Sequence, residues 1–120
     1  MPSSDPIQRF GDIVTNIGRI ERFTTGMQLQ GFAANEQTEL AVKYSLLIIS
    51  EAATKLGDVA VALCPDISWR EIRGLGNRLR HEYDRIDVVR IWLLLEQDLP
   101  PLKRACLAAL RTLEANDPQE

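Results

Sequence analysis

Apolar residues recur every three or four positions along most of the chain, which predicts α-helices that each bury one face. The first helix is expected over residues 6–24. Asp5 can cap it, Pro6 suits its first position, and Gly26 follows its last apolar residue. Residues 24–34 hold two glycines and no sustained period, so they are expected to form a connection.

The second apolar stripe begins after Asn35, a residue type that caps helices. It is apolar over much of its circumference, as expected of a central helix that several neighbours cover. Gly57 is expected to kink this helix, and Pro65 to stop it.

Three further signals divide the rest of the chain. Ser68 starts an S-x-x-E sequence, the form of a capping box, so a third helix is expected over residues 69–83. Asp87 can cap a fourth helix, and Pro100-Pro101 is expected to break or bend the chain before a fifth. Residues 115–120 should form a frayed tail.

Alternation with a period of two is absent, so no strand is predicted. The chain contains no repeat, linker or low-complexity tract. We therefore expect one all-α domain over residues 1–120, an up-and-down bundle of about five helices.

Composition narrows the class of protein. The apolar fraction is 45%, the charged fraction 26% and the net charge −3, values typical of a globular protein and not of one that coats nucleic acid. No uncharged apolar run of about 18 residues predicts a membrane span. Cys64 and Cys106 lack framework spacing and suit free thiols in a reducing cytoplasm. With one histidine, His81, the sequence predicts neither a protein-only zinc site nor a bound cofactor.

Candidate chemistry is concentrated in the third helix and the turn after it. Between Arg70 and Arg90, six arginines accompany four acidic residues. Helical spacing places His81 on the same face as Asn77 and Arg78. Imidazole can transfer a proton near neutral pH, while guanidinium and amide groups can hold phosphate oxygens. This set suits RNA cleavage, in which the 2′-hydroxyl is the nucleophile.

A less specific interpretation is that the arginines form a solvated, ion-paired face and that His81 has no chemical role. Trp69 and Trp92 are expected to be core or interface residues, not platforms for stacked bases.

Longer segments resemble a known family. The sequences AVKYSLLIISEAATKL, PDISWREIRGLGNRLRHEYDRID and VVRIWLLLEQDLPPLK resemble, in this order, the HepT-like (DUF86) branch of the HEPN superfamily. Its features EAA, P-x-I-x-W, GNRLRHEY, ID and DLP occur without insertion between residues 12 and 113. The resemblance implies a HEPN-like helical bundle, a homodimer whose active-site segments meet at a cleft, and a metal-independent endoribonuclease that is the toxin of a toxin–antitoxin pair. It also implies a minimal nucleotidyltransferase as the antitoxin partner.

The family motif is an arginine, four residues, histidine, any residue and tyrosine. The resemblance assigns its histidine to His81, its tyrosine, a candidate for adenylylation, to Tyr83, and the polar residue after its arginine to Asn77. The arginine itself is replaced by Gly76. The predicted catalytic residues are His81, Asn77 and Arg78, and the predicted residues for RNA phosphates are Arg73, Arg78, Arg80 and Arg85.

Gly76 leaves three alternatives. Arg78 or Arg73 substitutes for the motif arginine, from the same or the partner subunit. Alternatively, catalysis is lost and the domain binds a nucleotidyltransferase or a nucleotide. In the third, Gly76 attenuates an active toxin. Restoring the arginine by Gly76→Arg would distinguish lost catalysis from the other two. For the dimer, the apolar surface of the central helices and the two tryptophans are expected to form the interface.

Overall fold

The computed structural model describes residues 5–82 and 84–116, and these residues form seven α-helices and no strand. The helices in chain order are α1 (Pro6–Phe23), α2 (Leu29–Ala33), α3 (Glu36–Leu56), α4 (Asp58–Leu63), α5 (Trp69–Glu82), α6 (Val88–Gln97) and α7 (Leu99–Asn116). This confirms the predicted all-α fold and the five main helices. The two short helices, α2 and α4, were not predicted as separate elements.

Three side-chain caps fix helix starts where the sequence predicts them. Asp5, Asn35 and Asp87 each accept a hydrogen bond of 3.0 Å from a backbone N–H in the first turn of α1, α3 and α6. Each bond satisfies an amide that has no partner within its own helix. These three starts therefore depend on local sequence.

Other boundaries differ from the prediction. Gly57 has a φ of 57°, so α3 ends there and α4 begins in a new direction, where a kink was expected. The break predicted before the last helix is present, but it lies at Asp98, between α6 and α7. Pro100 and Pro101 follow it in the first turn of α7, where the amides need no helical partner. The hydroxyl of Ser68 forms no capping bond in the described residues; its backbone oxygen accepts the amides of Glu71 and Ile72.

The core lies around α3, which packs against α1 on one side and α5 on another. α1 also packs on α7, and α6 packs on α7 and α2. Fully buried side chains in this core include Phe10, Ile13, Ile17, Phe32, Val42, Leu46, Ile91 and Cys106. The arrangement matters for α5, because one side of it is fixed by the central helix.

The two cysteines are free and buried, as predicted. Burial raises the pKa of the Cys64 thiol and raises the pKa of Cys106 to about 12, with a smaller contribution from the neighbouring Cys64. Both groups are therefore protonated at neutral pH. Among the described helices, none combines the length and the apolar character needed to cross a membrane.

Candidate functional site

Trp69 anchors the start of α5 in the core. Its side chain is buried, its indole N–H donates a 2.9 Å hydrogen bond to the backbone oxygen of Cys64, and its ring meets Phe10 edge-on at 6.5 Å. The prediction that Trp69 is a packing residue is confirmed. Its burial also removes it from the expected dimer interface, because no part of its ring is left for a second subunit.

Arg73 is directed toward the end of α3. Its Nε donates to the backbone oxygen of Ala53 at 3.2 Å, and its Nη2 donates to the backbone oxygen of Gly57 at 2.9 Å. The oxygen of Ala53 belongs to the last turn of α3, where carbonyl groups lack a partner within the helix, and the oxygen of Gly57 also accepts the amide of Ala60 at 3.2 Å. The two bonds of Arg73 therefore tie α5 to the end of α3. Arg73 thus has a structural role, while its predicted contact with RNA stays a prediction.

Gly76 lies where α5 approaches α3 closely. A Cβ atom at this position would overlap the hydroxyl of Ser50 and lie 2.5 Å from its Cβ. Ser50 is itself buried and donates a 3.3 Å hydrogen bond to the backbone oxygen of Arg73. The glycine expected to be an altered motif position is therefore a packing requirement, and the single substitution Gly76→Arg does not fit this structure.

The exposed side of α5 carries the predicted chemistry. Asn77 and His81 lie one helical turn apart and are both exposed. Arg78 lies on one flank of this pair and Arg80 on the other. No side chain of residues 5–82 and 84–116 forms a hydrogen bond or ion pair with Asn77, Arg78 or His81. We call Asn77, Arg78, Arg80 and His81 the α5 strip.

Arg80 is held by α3 instead. Its Nη1 lies 3.7 Å from a carboxylate oxygen of Glu51, and the two side chains are 43% and 51% exposed. An ion pair between groups as exposed as these contributes little to stability and leaves both charges accessible to solutes. Sequence reasoning missed Glu51 and Ser50, because the sequence does not show which residues of α3 face α5.

A groove of about 870 Å³ opens beside the strip, between α5 and α6. Arg78 belongs to its wall, so this side chain borders both the groove and the strip. The rest of the lining is mostly apolar, with Glu71, Asp66, Arg90 and Asp98 as its other charged side chains. On α6, which forms the far wall, Val89 and Leu93 remain 41% and 44% exposed.

Two predicted residues follow the helix. Arg85 is exposed in the turn between α5 and α6, where its amide donates to the backbone oxygen of Glu82. Tyr83, the predicted modification site, lies outside the described residues. In the described ranges, no group of three His, Cys, Asp or Glu side chains is placed to hold a metal ion.

The strip combines one group that transfers protons with groups that bind anions. The imidazole of His81 can donate or accept a proton, and Arg78, Arg80 and Asn77 offer N–H donors to phosphate oxygens. Trp69 and Arg73 anchor the helix backbone that carries these side chains. The side-chain ends of Asn77, Arg78 and His81 have no partner in the described residues, and that of Arg80 pairs with Glu51.

Comparison with known proteins agrees with the resemblance seen in the sequence. A model of the family described as "Ribonuclease HepT-like" matches residues 13–109. A protein of Thermococcus cleftensis named "Probable ribonuclease HepT" is 35% identical over 92 residues, which cover 77% of this chain and 84% of that protein. No solved structure matches the chain.

Two proteins of Methanocaldococcus jannaschii are also similar. The one named "Putative RNase MJ1380" is 30% identical over 93 residues, covering 78% of this chain and 85% of its own length. The one named "Putative RNase MJ1216" is 26% identical over 117 residues, covering 98% of this chain and 97% of its own length. The similarity to this second protein therefore extends over nearly the whole chain.

Proposed function

The chain belongs to the ribonuclease HepT-like family, and on that premise we propose that it is an endoribonuclease that cleaves RNA at the α5 strip. The observation that carries the proposal is the exposed pair Asn77 and His81, flanked by two arginines and free of partners among the described residues. A histidine that served only to stabilise the helix would be expected to contact a neighbouring group.

In the proposed reaction the 2′-hydroxyl of RNA attacks the adjacent phosphorus. A new 2′-oxygen–phosphorus bond forms, the bond to the 5′-oxygen breaks, and the products are a 2′,3′-cyclic phosphate and a free 5′-hydroxyl. His81 transfers a proton at one of the two oxygens, and Asn77 and Arg78 bind the phosphate. The second proton goes through water, Tyr83 or the His81 of a second subunit.

We propose that the active form is a homodimer in the cytoplasm. Leu93 on α6 lines the groove beside the α5 strip, Val89 lies one turn before it on the same helix, and a second copy of the chain would cover these two exposed apolar residues. Trp92 is half-buried against Phe32, with ring centroids 5.1 Å apart, so it contributes at most an edge to this interface.

The biological role we propose is that of a toxin in a toxin–antitoxin pair whose antitoxin is a minimal nucleotidyltransferase. Attachment of a nucleotide to Tyr83, two residues after His81, would place a bulky anion beside the α5 strip. Such an anion would compete with the RNA phosphate for the same arginines, which gives the modification its inhibitory effect.

The test is cleavage of a labelled single-stranded RNA by the purified protein in EDTA, with sedimentation equilibrium to establish the oligomer present. His81→Ala should lower the rate about 100- to 10,000-fold while leaving the melting temperature unchanged. The same RNA with a 2′-deoxy sugar at the cleaved position is the matched control and should remain intact. Equal rates for wild type and His81→Ala would contradict the assignment, and a protein that stays monomeric at micromolar concentration would contradict the dimer.

A second candidate function is a non-catalytic domain that binds a nucleotidyltransferase or a nucleotide. Gly76 favours it, because the motif arginine is absent. This function predicts that the wild-type protein cleaves no RNA in the assay above and that a variant with the arginine restored does cleave it. Since Ser50 blocks position 76, that variant must be Ser50→Gly with Gly76→Arg.

A further inference from the structure

We propose that Arg80 supplies the guanidinium that the motif normally places at position 76, and that Ser50 excludes an arginine from that position. The inference rests on the proposed function for its chemistry and on the crossing of α3 and α5 for its geometry. It assigns to Arg80 the role for which the sequence suggested Arg78 or Arg73.

Ser50 excludes an arginine side chain from position 76. Position 76 faces α3 where Ser50 is buried, and even a Cβ atom there would overlap the serine hydroxyl. Moving Ser50 aside would break its hydrogen bond to the backbone oxygen of Arg73. Any guanidinium at this part of the strip must therefore come from another residue as long as Ser50 is present.

Of the nearby arginines, Arg80 is the one placed to supply this guanidinium. Arg73 donates to two backbone oxygens of the α3 end, and Arg78 lies on the groove side. Arg80, one turn after Gly76, has its Nη1 3.7 Å from the position that a Cβ on Gly76 would take. Its guanidinium thus lies over the glycine, on the flank from which the motif side chain is missing.

The guanidinium of Arg80 is also accessible to an RNA phosphate. The Nη1 that lies over Gly76 is also the atom paired with Glu51 at 3.7 Å, a separation longer than a charge-assisted hydrogen bond. Glu51 holds the guanidinium in place without RNA, and a phosphate, which accepts bidentate bonds from arginine, would compete with it. Glu51 therefore acts as a positioning residue that also limits the affinity for RNA.

The experiment removes the guanidinium at position 80 and then restores one at position 76. Arg80→Ala should lower the cleavage rate about 100- to 1000-fold, and Arg80→Lys should recover only part of it, because lysine lacks the planar fork. In the Arg80→Ala background, adding Ser50→Gly and Gly76→Arg together should raise the rate at least about tenfold. Arg111→Ala, which removes an exposed arginine on α7, is the matched control and should equal wild type. A rate for Arg80→Ala within about threefold of wild type would overturn the proposal.

Measurements of RNA binding distinguish a failure of this inference from a failure of the proposed function. If wild type and His81→Ala are equally inactive, the ribonuclease proposal fails, and Arg80 is then judged by anisotropy titrations of the labelled RNA at several salt concentrations. Arg80→Ala should reduce the slope of log affinity against log salt by about 0.7, the value for one phosphate contact on a single strand.

The same titrations test Glu51. Glu51→Gln should tighten binding about two- to tenfold in wild type and have no effect in Arg80→Ala, because the pair is then already absent. An unchanged salt slope in Arg80→Ala, or an equal effect of Glu51→Gln in both backgrounds, would contradict the role of Arg80 in binding.

Discussion

The two faces of α5 differ in what their side chains contact. On the packed face, Trp69 and Arg73 donate hydrogen bonds to backbone oxygens of neighbouring elements, and Gly76 lies against Ser50. On the exposed face, Asn77 and His81 have no hydrogen-bond partner in the described residues. One helix therefore contains a structural arginine and candidate functional residues only a few positions apart, and sequence proximity alone does not separate them.

The comparison implies that the two faces are separable by experiment. Substitutions on the packed face should change the free energy of unfolding, and substitutions on the exposed face should change RNA binding or cleavage with little effect on stability. Arg80 is the intermediate case, because it pairs with α3 yet remains half-exposed. The largest changes in stability are expected on the packed face.

Trp69→Ala should produce the largest loss of stability, about 3–5 kcal/mol in the free energy of unfolding. The substitution empties a buried site against Phe10 and removes the shorter of the two hydrogen bonds to the backbone oxygen of Cys64, which then keeps only the amide of Ile67. Urea unfolding followed by circular dichroism measures the change. Asn77→Ala is the control on the exposed face and should stay within about 0.5 kcal/mol of wild type. Similar losses for the two variants would remove the distinction between the faces.

Local sequence was sufficient to predict the starts of α1, α3 and α6 and the grouping of Asn77 with His81. Asp5, Asn35 and Asp87 act on amides two or three residues away, so their effect does not depend on the rest of the fold. The grouping of Asn77 with His81 follows in the same way from the helical repeat. These parts of the structure could be predicted because each is determined within a single helix.

The function of position 76 could not be predicted in that way. The contact of Gly76 with Ser50 and the bonds of Arg73 to Ala53 and Gly57 depend on how α5 crosses α3. Helices can pack at several angles with the same apolar stripe, so the stripe does not determine which residues meet. For this reason the sequence shows that the motif arginine is absent at position 76 but does not show that Ser50 fills the space beside it.

Gly76→Arg should be the next most destabilising change, at about 1–3 kcal/mol, since it forces a side chain into a filled helix crossing. Unfolding in urea measures it, and the decisive comparison is a double-mutant cycle with Ser50→Gly. The second substitution removes the atoms that overlap the new side chain, so the double variant should be more stable than the sum of the two single changes predicts. Additive losses would show that Ser50 is not what excludes a side chain from position 76.

Arg73→Lys should give the smallest effect on stability, about 1 kcal/mol, because an ammonium group cannot reach both backbone oxygens with the geometry of a guanidinium. The charge is unchanged, so urea unfolding reports mainly on the lost hydrogen bond. RNA affinity measured on the same protein shows which face Arg73 belongs to. Lower stability with unchanged RNA affinity assigns it to the packed face alone. Unchanged stability with weaker RNA binding would instead support the sequence-based assignment of Arg73 to phosphate. It would also show that Arg73 can leave its carbonyl partners at the end of α3 when RNA is present.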